Sequence, residues 1–475
     1  MNEKFAEGET TSIKIGVGFA FLAVFYVGFL QFYNLGKLPI VQWDESRLAV
    51  NAAEMYLNKS YLVTTYENRP DLWNTKPPLM IWLQCGSMAL FGVNEWAVRF
   101  PSALAGFLCM IFLGFWMFKI SKSYYWGGLA MLFLSVSGGF IQLHGSMTGD
   151  FDALLSLFVL LSVYQYTRFY FDGKKSSLLW MVAFVSLAAM SKSAAGLMII
   201  PLLLVFPLMQ KRWKMALKLS VALFLSVLPF LLFCFLRENA SEGYLKQMWL
   251  NDFGGRFNEV IEGHSHPWSY YLNNLAFERL NYFVVLFIPA MLWFLFKKNL
   301  KLCFLSVFVA GFIFILSVSK TKIHWYDMPL LSIICLIITV FLFQATSAIK
   351  RDLFKKIALV LIPIAMMPSV IDKFQFIVYH KNLKLSLDHY DLSCFLRNYK
   401  EEEPLRYISL NYDPEYYFYT KANAKITRGV IGTFELGEKV VFQHFLEPDF
   451  AAVYQYKVLR NDKSVKYIQI IGKVK

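Results

Sequence analysis

Charge is scarce in this chain. Only 17% of its 475 residues are Asp, Glu, Lys or Arg, against about 25% in soluble domains. Hydrophobic residues make up 57%, and the mean hydropathy is +0.45. That balance excludes an ordinary soluble domain and points to a polytopic membrane protein. Cysteine is also sparse. Cys85, Cys109, Cys234, Cys303, Cys335 and Cys394 show no metal-ligand spacing, and four lie in apolar runs. Neither a zinc site nor a disulfide framework is indicated. There is no internal repeat and no low-complexity tract, and with them goes the commonest signature of a transporter. The N-terminus lacks a cleaved-signal pattern: its leader holds Glu3, Glu7 and Glu9, and no small-x-small site follows the apolar run.

What is present is aromatic, apolar and basic. Aromatic residues reach 18%, 46 of them Phe, which suits a lipid-facing surface and its interfacial belts. The net charge of +14 would suggest nucleic acid in a soluble chain. Here most of the excess lies in short loops between apolar runs, so positive-inside bias explains it and no nucleic-acid partner is expected.

Eleven runs are candidates to span: 15–33, 97–118, 124–142, 153–171, 177–190, 194–210, 215–236, 281–296, 302–317, 328–345 and 357–371. Each needs about 20 apolar residues. The run 77–91 is shorter and opens with Pro77-Pro78, so it reads as an interfacial helix. With it kept out of the count, five basic clusters fall on one side. They are Lys119/Lys122, Lys174/Lys175, Lys211/Arg212/Lys214, Lys297/Lys298/Lys301 and Lys350/Arg351/Lys355/Lys356. That side is the cytoplasm. The opposite side then receives an outer loop, 36–96, the turn near Asp150, the loop 237–280 and the segment 319–327. It also receives a tail, 372–475, whose alternating runs predict a small α/β domain. The expected division is 1–371 in the membrane and 372–475 outside it.

Charges on the outer side break the pattern. The stretch from Trp43 to Pro78 carries Asp44 and Glu45 directly after the first apolar run. Carboxylates at a membrane surface cost free energy unless they face water, a partner or a substrate. A solvated loop is the plainer alternative. A second acidic site is Thr148-Gly149-Asp150-Phe151-Asp152. Asp152 could simply favour the N-terminus of the helix it opens, whereas paired carboxylates suit general-base chemistry or cation binding. Lys76, Lys192, Lys320 and Lys322 sit outside at apolar boundaries, where orientation bias disfavours them. Any one of them could snorkel. Four together point to a bound anion, and a lipid phosphate is the natural one. Arg256, His264 and His266 add donors on that side. H-x-H can be a metal pair, but no further clear ligands accompany it.

These stretches occur together in a known order. W-D-E-S-R-L-A-V-N-A-A-E-M, K-P-P-L-M-I-W-L with F-G-V-N-E-W-A-V-R-F-P, T-G-D-F-D-A-L-L, M-S-K-S-A-A-G, H-S-H-P-W-S-Y-Y-L and S-K-T-K-I-H-W-Y-D-M-P-L cover most of residues 40–335. On them the chain resembles the GT-C integral membrane glycosyltransferases, particularly the bacterial protein-mannosyltransferase-like group and the lipid A aminoarabinose transferases. It departs where the family often has T-K-G and this chain has Ser191-Lys192-Ser193. It also reads E-R-L-N-Y-F where a Pro-Trp pair often stands.

The resemblance implies a mainly α, polytopic transmembrane bundle of about eleven spans, with interfacial helices in the first outer loop and a small extracytoplasmic α/β domain. It implies transfer of a sugar from a polyprenyl-phosphate donor to lipid A, another envelope glycan or a protein, at the outer face of a bacterial inner membrane. It makes Asp44 the base or acceptor-orienting group, with Glu45 its neighbour, and Asp152 the second acid with Asp150 in reserve. Lys76, Lys320 and Lys322 become donor-phosphate contacts, joined on charge grounds by Lys192 and Arg256. His264, His266, Tyr271, His324 and Tyr326 become cavity residues. No cofactor is required, and a divalent metal is compatible with the acids but not demanded by one phosphate. A lipid-linked glycan polymerase or ligase, sharing the donor chemistry, is the near alternative, and a transporter the remote one.

Overall fold

Lipid offers no partner to backbone N–H and C=O groups, so apolar runs of this length must satisfy them internally as helices. The computed structural model bears this out and describes residues 2–296, 299–380, 387–409 and 412–474. Lys297 and Lys298 of the expected cytoplasmic cluster lie outside the described residues. The helices are α1 (Asn2–Phe32), α2 (Asp44–Asn58), α3 (Leu79–Phe91), α4 (Glu95–Ser121), α5 (Tyr124–Val136), α6 (Asp152–Tyr170), α7 (Ser176–Leu197), α8 (Ile199–Met209), α9 (Trp213–Ala240), α10 (Tyr244–Asp252), α11 (Gly254–Asn258), α12 (Tyr270–Asn273), α13 (Val284–Phe296), α14 (Leu300–Val318), α15 (Met328–Ser347), α16 (Asp352–Tyr379), α17 (Leu387–Asn398), α18 (Pro414–Ala422) and α19 (Glu447–Ala451). The strands are β1 (Thr65–Tyr66), β2 (Arg69–Pro70), β3 (Leu405–Ile408), β4 (Ile426–Gly429), β5 (Lys439–Gln443), β6 (Tyr454–Asn461) and β7 (Val465–Lys473).

Among the described residues, seven helices are long and apolar enough to cross a membrane, or eight if one bent pair counts as a span. Eleven runs were expected, and the difference has local causes. α5 stops at Val136, after 13 residues, because Gly138 and Gly139 follow and Gly139 takes φ +81°. α8 and α13 are only 11 and 13 residues long. α6 has 19 residues, but Gln165, Thr167 and Arg168 make its last third polar. α3, at 13 residues, is too short to cross.

The chain divides into two compact units. The first is Met1–Asn34, Thr75–Met80 and Phe100–Lys381, a helix bundle. α15 is its most enclosed spanning helix: 72% of its apolar window is buried, against 6% for α16. The sequence explains this, since Leu, Ile, Val and Phe run all round α15, the pattern of a central helix.

The second unit is Leu35–Asn74, Ile81–Arg99 and Asn382–Lys475. It unites most of the segment between α1 and α4 with the C-terminal α/β portion. Its five-stranded sheet has the order β4-β3-β5-β7-β6. The β4–β3 and β3–β5 pairs are parallel, and the β5–β7 and β6–β7 pairs antiparallel. Val440, Phe442, Ile468 and Ile470 from its strands pack with Leu446, Phe450 and Tyr454 in the core. α18 lies on α2. Lys421 pairs with the buried Glu54 at 3.0 Å, and the Tyr419 hydroxyl donates to Glu95 at 2.9 Å while accepting the Ile40 amide at 3.1 Å.

Arg99 ties this unit's loop together. Its Nε and Nη2 bond both oxygens of Glu45, at 2.6 and 2.8 Å. Its remaining N–H groups go to the carbonyls of Leu35, Leu38 and Pro39, at 3.0, 2.8 and 2.7 Å. All five guanidinium donors are thereby engaged, in a site where Arg99 and Glu45 are 2% and 1% exposed. Removing one partner of such a pair costs about 3–5 kcal/mol. Arg99→Leu is therefore expected to destabilise the protein by that order. The double change Arg99→Leu, Glu45→Leu should regain only part of the loss, because three carbonyls stay without a donor. Denaturant unfolding in detergent micelles checks both, and an unshifted single variant would refute the pair's holding role.

Candidate functional site

In the first unit, polar side chains gather where α6 begins, where α7 breaks and where α10 ends. α7 is not one straight helix. Lys192 (φ −149°, ψ 54°) and Ser193 (φ 31°, ψ −113°) are non-helical inside it. A Cβ on Gly196 would lie 2.2 Å from the Ala188 carbonyl oxygen. Eight residues of continuous helix would separate them by about 12 Å. The chain therefore doubles back, with Lys192 and Ser193 at the tip and a glycine where the two limbs meet. This is the break expected between the runs 177–190 and 194–210.

The turn delivers two side chains. Lys192 Nζ donates to both oxygens of Asp152, at 2.6 and 2.7 Å, and lies 4.8 Å from the centre of the Tyr326 ring. Asp152, first residue of α6, is 3% exposed and Lys192 7%. The Ser193 hydroxyl donates to Asp252 at 2.6 Å. The other Asp252 oxygen is bonded by Lys76, whose neighbour Thr75 offers its carbonyl to the Tyr244 hydroxyl at 2.8 Å. Asp252 thus joins the K-P-P segment to the α7 turn. Asp150 stands beside them. Thr148 donates to it at 2.5 Å, and His144, stacked on Trp325 at 3.9 Å, lies 3.7 Å away. Burial alone would raise the Asp150 carboxyl, but His144 and the Thr148 hydroxyl outweigh it and hold it below the usual range.

The segment after α14 lies against the loop after α11. Lys320, Thr321 and Lys322 donate their amides to the carbonyls of Phe257, Arg256 and His264. Thr321 also bridges Ser265. The two lysines diverge. Lys322 is 5% exposed and curls back to the Ser319 carbonyl at 2.5 Å; burial lowers its pKa. Lys320 is exposed and carries no ion pair among the described residues. Arg256 gives Nε to the Asn251 carbonyl at 2.7 Å and holds Glu262 loosely at 4.0 Å. Its Nη1 is buried without a hydrogen-bond partner among the described residues.

The other expected site residues have these surroundings. Tyr271 is 1% exposed, and its hydroxyl bonds the amide and carbonyl of Ile323, both at 3.1 Å; it holds the loop. His266 is exposed and stacks on Tyr270 at 4.1 Å. His264 and His266 join no group of three or more metal-ligating side chains among the described residues. The His324 carbonyl accepts from Asn274 and Arg279. Asp44 and Glu45 belong to the second unit. Asp44 opens α2 behind Trp43, which takes φ 74°. Both Glu45 oxygens serve Arg99, and one also accepts the Val41 amide at 2.8 Å. Its geometry is that of a holding residue. Asp252, Ser193 and His144 were not anticipated. Asp252 could have been noticed as an acid before Gly254-Gly255 in an outer loop; nothing local marked the other two.

Comparison with known proteins adds the following. Residues 75–236 match the dolichyl-phosphate-mannose-protein mannosyltransferase family. An uncharacterized protein of Aquifex aeolicus is 28% identical over 308 residues, 63% of this chain and 59% of its own length. YycA of Bacillus subtilis, named as a candidate mannosyltransferase, is 30% identical over 153 residues, 32% of this chain and 22% of its own. The chain thus spans less than two thirds of either relative. Crystal structures of ArnT from Cupriavidus metallidurans superpose along nearly the whole chain. The one bound to undecaprenyl phosphate has a TM-score of 0.72 at 14% identity, covering 95% of this chain and 98% of ArnT. The apo form has a TM-score of 0.68, also at 14% identity, covering 95% and 97%.

The reversal at Lys192 depends on Gly196. Gly196→Ala should cost about 1–3 kcal/mol through overpacking against rigid backbone. Gly86→Ala, with nothing within 4 Å of the new Cβ, should be neutral or slightly stabilising. Thermal unfolding of the purified variants compares them, and equal midpoints would show that the limbs do not meet there. With its helix bundle and its terminal sheet domain, the chain has the GT-C membrane fold that it shares with ArnT.

Proposed function

We propose that this chain is a membrane glycosyltransferase that moves a sugar from a polyprenyl-phosphate donor to an envelope glycolipid, glycan or protein at the extracytoplasmic face of the inner membrane. One observation carries the reading. Lys76, Lys192, Lys320, Lys322 and Arg256 lie in one unit with Asp150, Asp152 and Asp252, and a buried guanidinium N–H of Arg256 has no partner among the described residues. A buried donor without a partner is costly, and an anionic ligand would relieve it. The fold shared with an undecaprenyl-phosphate-binding ArnT supports a lipid phosphate as that anion.

The reaction is a displacement at the sugar's anomeric carbon. The acceptor oxygen forms a bond to that carbon as the bond to the phosphate oxygen breaks. The acceptor proton passes to a base, and the lipid phosphate departs with one more negative charge. Arg256 and Lys320 offset that charge. Lys76 and Lys192 are held by Asp252 and Asp152, which fixes their positions before the phosphate arrives. We assign the base or acceptor-orienting role to Asp44, as the family resemblance implies.

Transfer from a radiolabelled polyprenyl-phosphate sugar, measured in membranes containing the protein, tests this. Asp44→Asn should abolish transfer without changing the unfolding midpoint; near-normal turnover would remove Asp44 from the role. Arg256→Ala or Lys320→Ala should each cost roughly 1.5–3 kcal/mol, about 10- to 150-fold in donor use. Unaltered donor affinity in both would overturn the phosphate assignment. Sidedness has its own check. Cysteines placed near Lys122 and Lys174 should resist an impermeant reagent added outside, and labelling of either would invert the topology.

A further inference from the structure

The stretch E-R-L-N-Y-F, where the sequence departs from the family pattern, places a buried arginine beside the candidate site. Arg279 is 3% exposed and its partner Asp327 0%. A π-helical turn, Asn274–Arg279, ends at it; such turns often mark functional positions. Its Nε donates to Asp327 at 3.0 Å, Nη1 to the Gly138 carbonyl at 3.3 Å and Nη2 to the His324 carbonyl. Its own carbonyl accepts the Gly138 amide at 2.9 Å. Asn274 completes the clamp, donating to Asp327 at 2.7 Å and to the His324 carbonyl at 2.9 Å. One guanidinium thus joins two segments far apart in sequence, the Gly138-Gly139 turn and His324–Asp327. The fit is close. A Cβ on Gly139 would lie 1.6 Å from Arg279 Nη1, and one on Gly138 1.8 Å from the Glu278 carbonyl oxygen.

Each of those segments carries one ring of a stack. The loop from Gly139 closes on itself at Gly145, whose Cβ would lie 2.5 Å from the Gly139 and Phe140 carbonyl oxygens. His144 precedes that closure, at φ 57°. Trp325 follows His324. The two rings lie 3.9 Å apart and 10° from parallel. His144 is thereby set with Nδ1 3.7 Å from Asp150. Its amide donates to Thr148, whose hydroxyl donates to Asp150. Arg279 therefore holds the stack from both sides. We propose that Arg279 is a positioning residue of the candidate site: it fixes His144 against Trp325, and so fixes the cation that faces Asp150. The other charges facing Asp150 are Lys192 and Asp152, and His144 acts on it more strongly than Lys192 does. In the proposed transfer this keeps the second acidic site ionised and in place. A lysine at 279 would keep the charge for Asp327 but not the planar fork that also reaches two carbonyls.

The inference rests on the glycosyltransferase reading only for its activity test. Transfer from a radiolabelled polyprenyl-phosphate sugar is measured against pH in membranes containing the full-length protein. Thermal unfolding is measured against pH on the purified protein. An opposite charge nearby lowers a carboxyl by about 1–3 pH units. Arg279→Lys and Trp325→Leu should each therefore move the acid limb of the transfer profile up by at least about one pH unit. Arg279→Lys should lose transfer nearly as far as Arg279→Gln. Near wild-type transfer in Arg279→Lys would mean that charge alone matters. A lowered unfolding midpoint with an unmoved acid limb would make Arg279 a structural residue. Either result overturns the inference. If Arg279→Lys does not fold, Trp325→Leu decides alone, since it changes a part-buried ring and leaves the clamp intact. The unfolding data stand apart from the glycosyltransferase reading. Stability that Asp150 draws from His144 is present above the carboxylate range and is lost as pH falls through the lowered value. The midpoint gap between wild type and Trp325→Leu should therefore narrow on acidification. A constant gap overturns the positioning role even where transfer is observed. A narrowing gap without transfer sinks the glycosyltransferase reading and leaves the positioning role standing.

Discussion

A charge taken out of water must meet its counter-charge. Arg99 and Glu45 show what that rule does here. Together they bring four hydrogen bonds to the loop that precedes α2: Arg99 donates to three carbonyls, and Glu45 accepts the Val41 amide. The loop carbonyls of Leu35, Leu38 and Pro39 have no helix or strand to satisfy them, and the guanidinium supplies the missing donors. A lysine could not do this, since its three donors radiate from one point and lack the planar fork. The start of α2, and with it Asp44, is positioned by an arginine that takes no part in the proposed chemistry.

The same rule shapes the polar cluster of the first unit, with another outcome. Lys192 and Asp152 are a close, buried pair, and Lys76 and Asp252 a close, partly buried one. Each pair links segments far apart in sequence: α6 with the α7 turn, and the K-P-P segment with α10. Ser193 closes the gap by donating to Asp252 from the same turn that presents Lys192. The strained φ of Ser193 is held by its surroundings, chiefly the contact of the two limbs at Gly196. Here backbone strain, glycine and ion pairs serve one end, which is to bring two lysines beside three carboxylates at the boundary of an apolar bundle.

Much of this was legible in the sequence, because membrane solvation acts on composition. The scarcity of charge identified the class, a chain with many apolar helices. The four lysines that broke the pattern all lie in the first unit. Partner choice was not legible, since it depends on tertiary contact. Asp44 and Glu45 are adjacent and chemically alike. Neighbouring residues on a helix point about 100° apart, so one reaches Arg99 while the other does not share its environment. Similarly, Lys320 and Lys322 lie two residues apart. Only the fold-back of Lys322 onto Ser319 separates a buried cation from an exposed one. Helix ends were not legible either: hydropathy does not reveal where a helix stops, and α5 ends at Val136, just before Gly138-Gly139.

Charge bookkeeping over the first unit's cluster connects structure to the proposed reaction. Lys76 and Lys192 are held by Asp252 and Asp152, Arg256 meets Glu262 only at 4.0 Å, and Lys320 carries no ion pair among the described residues. Arg256 and Lys320 are therefore the cations least committed to an acid. A sugar–phosphate–lipid diester carries one negative charge, and the departing lipid phosphate carries a second. An array matched to the product more closely than to the substrate favours bond breaking, because its interaction strengthens as charge develops. The carboxylates matter as much as the cations in this account. Without Asp152 and Asp252 the lysines would repel one another and bind the ground-state phosphate strongly. With them, Lys76 and Lys192 are fixed in place, and in the proposed reaction Arg256 and Lys320 act on the leaving group.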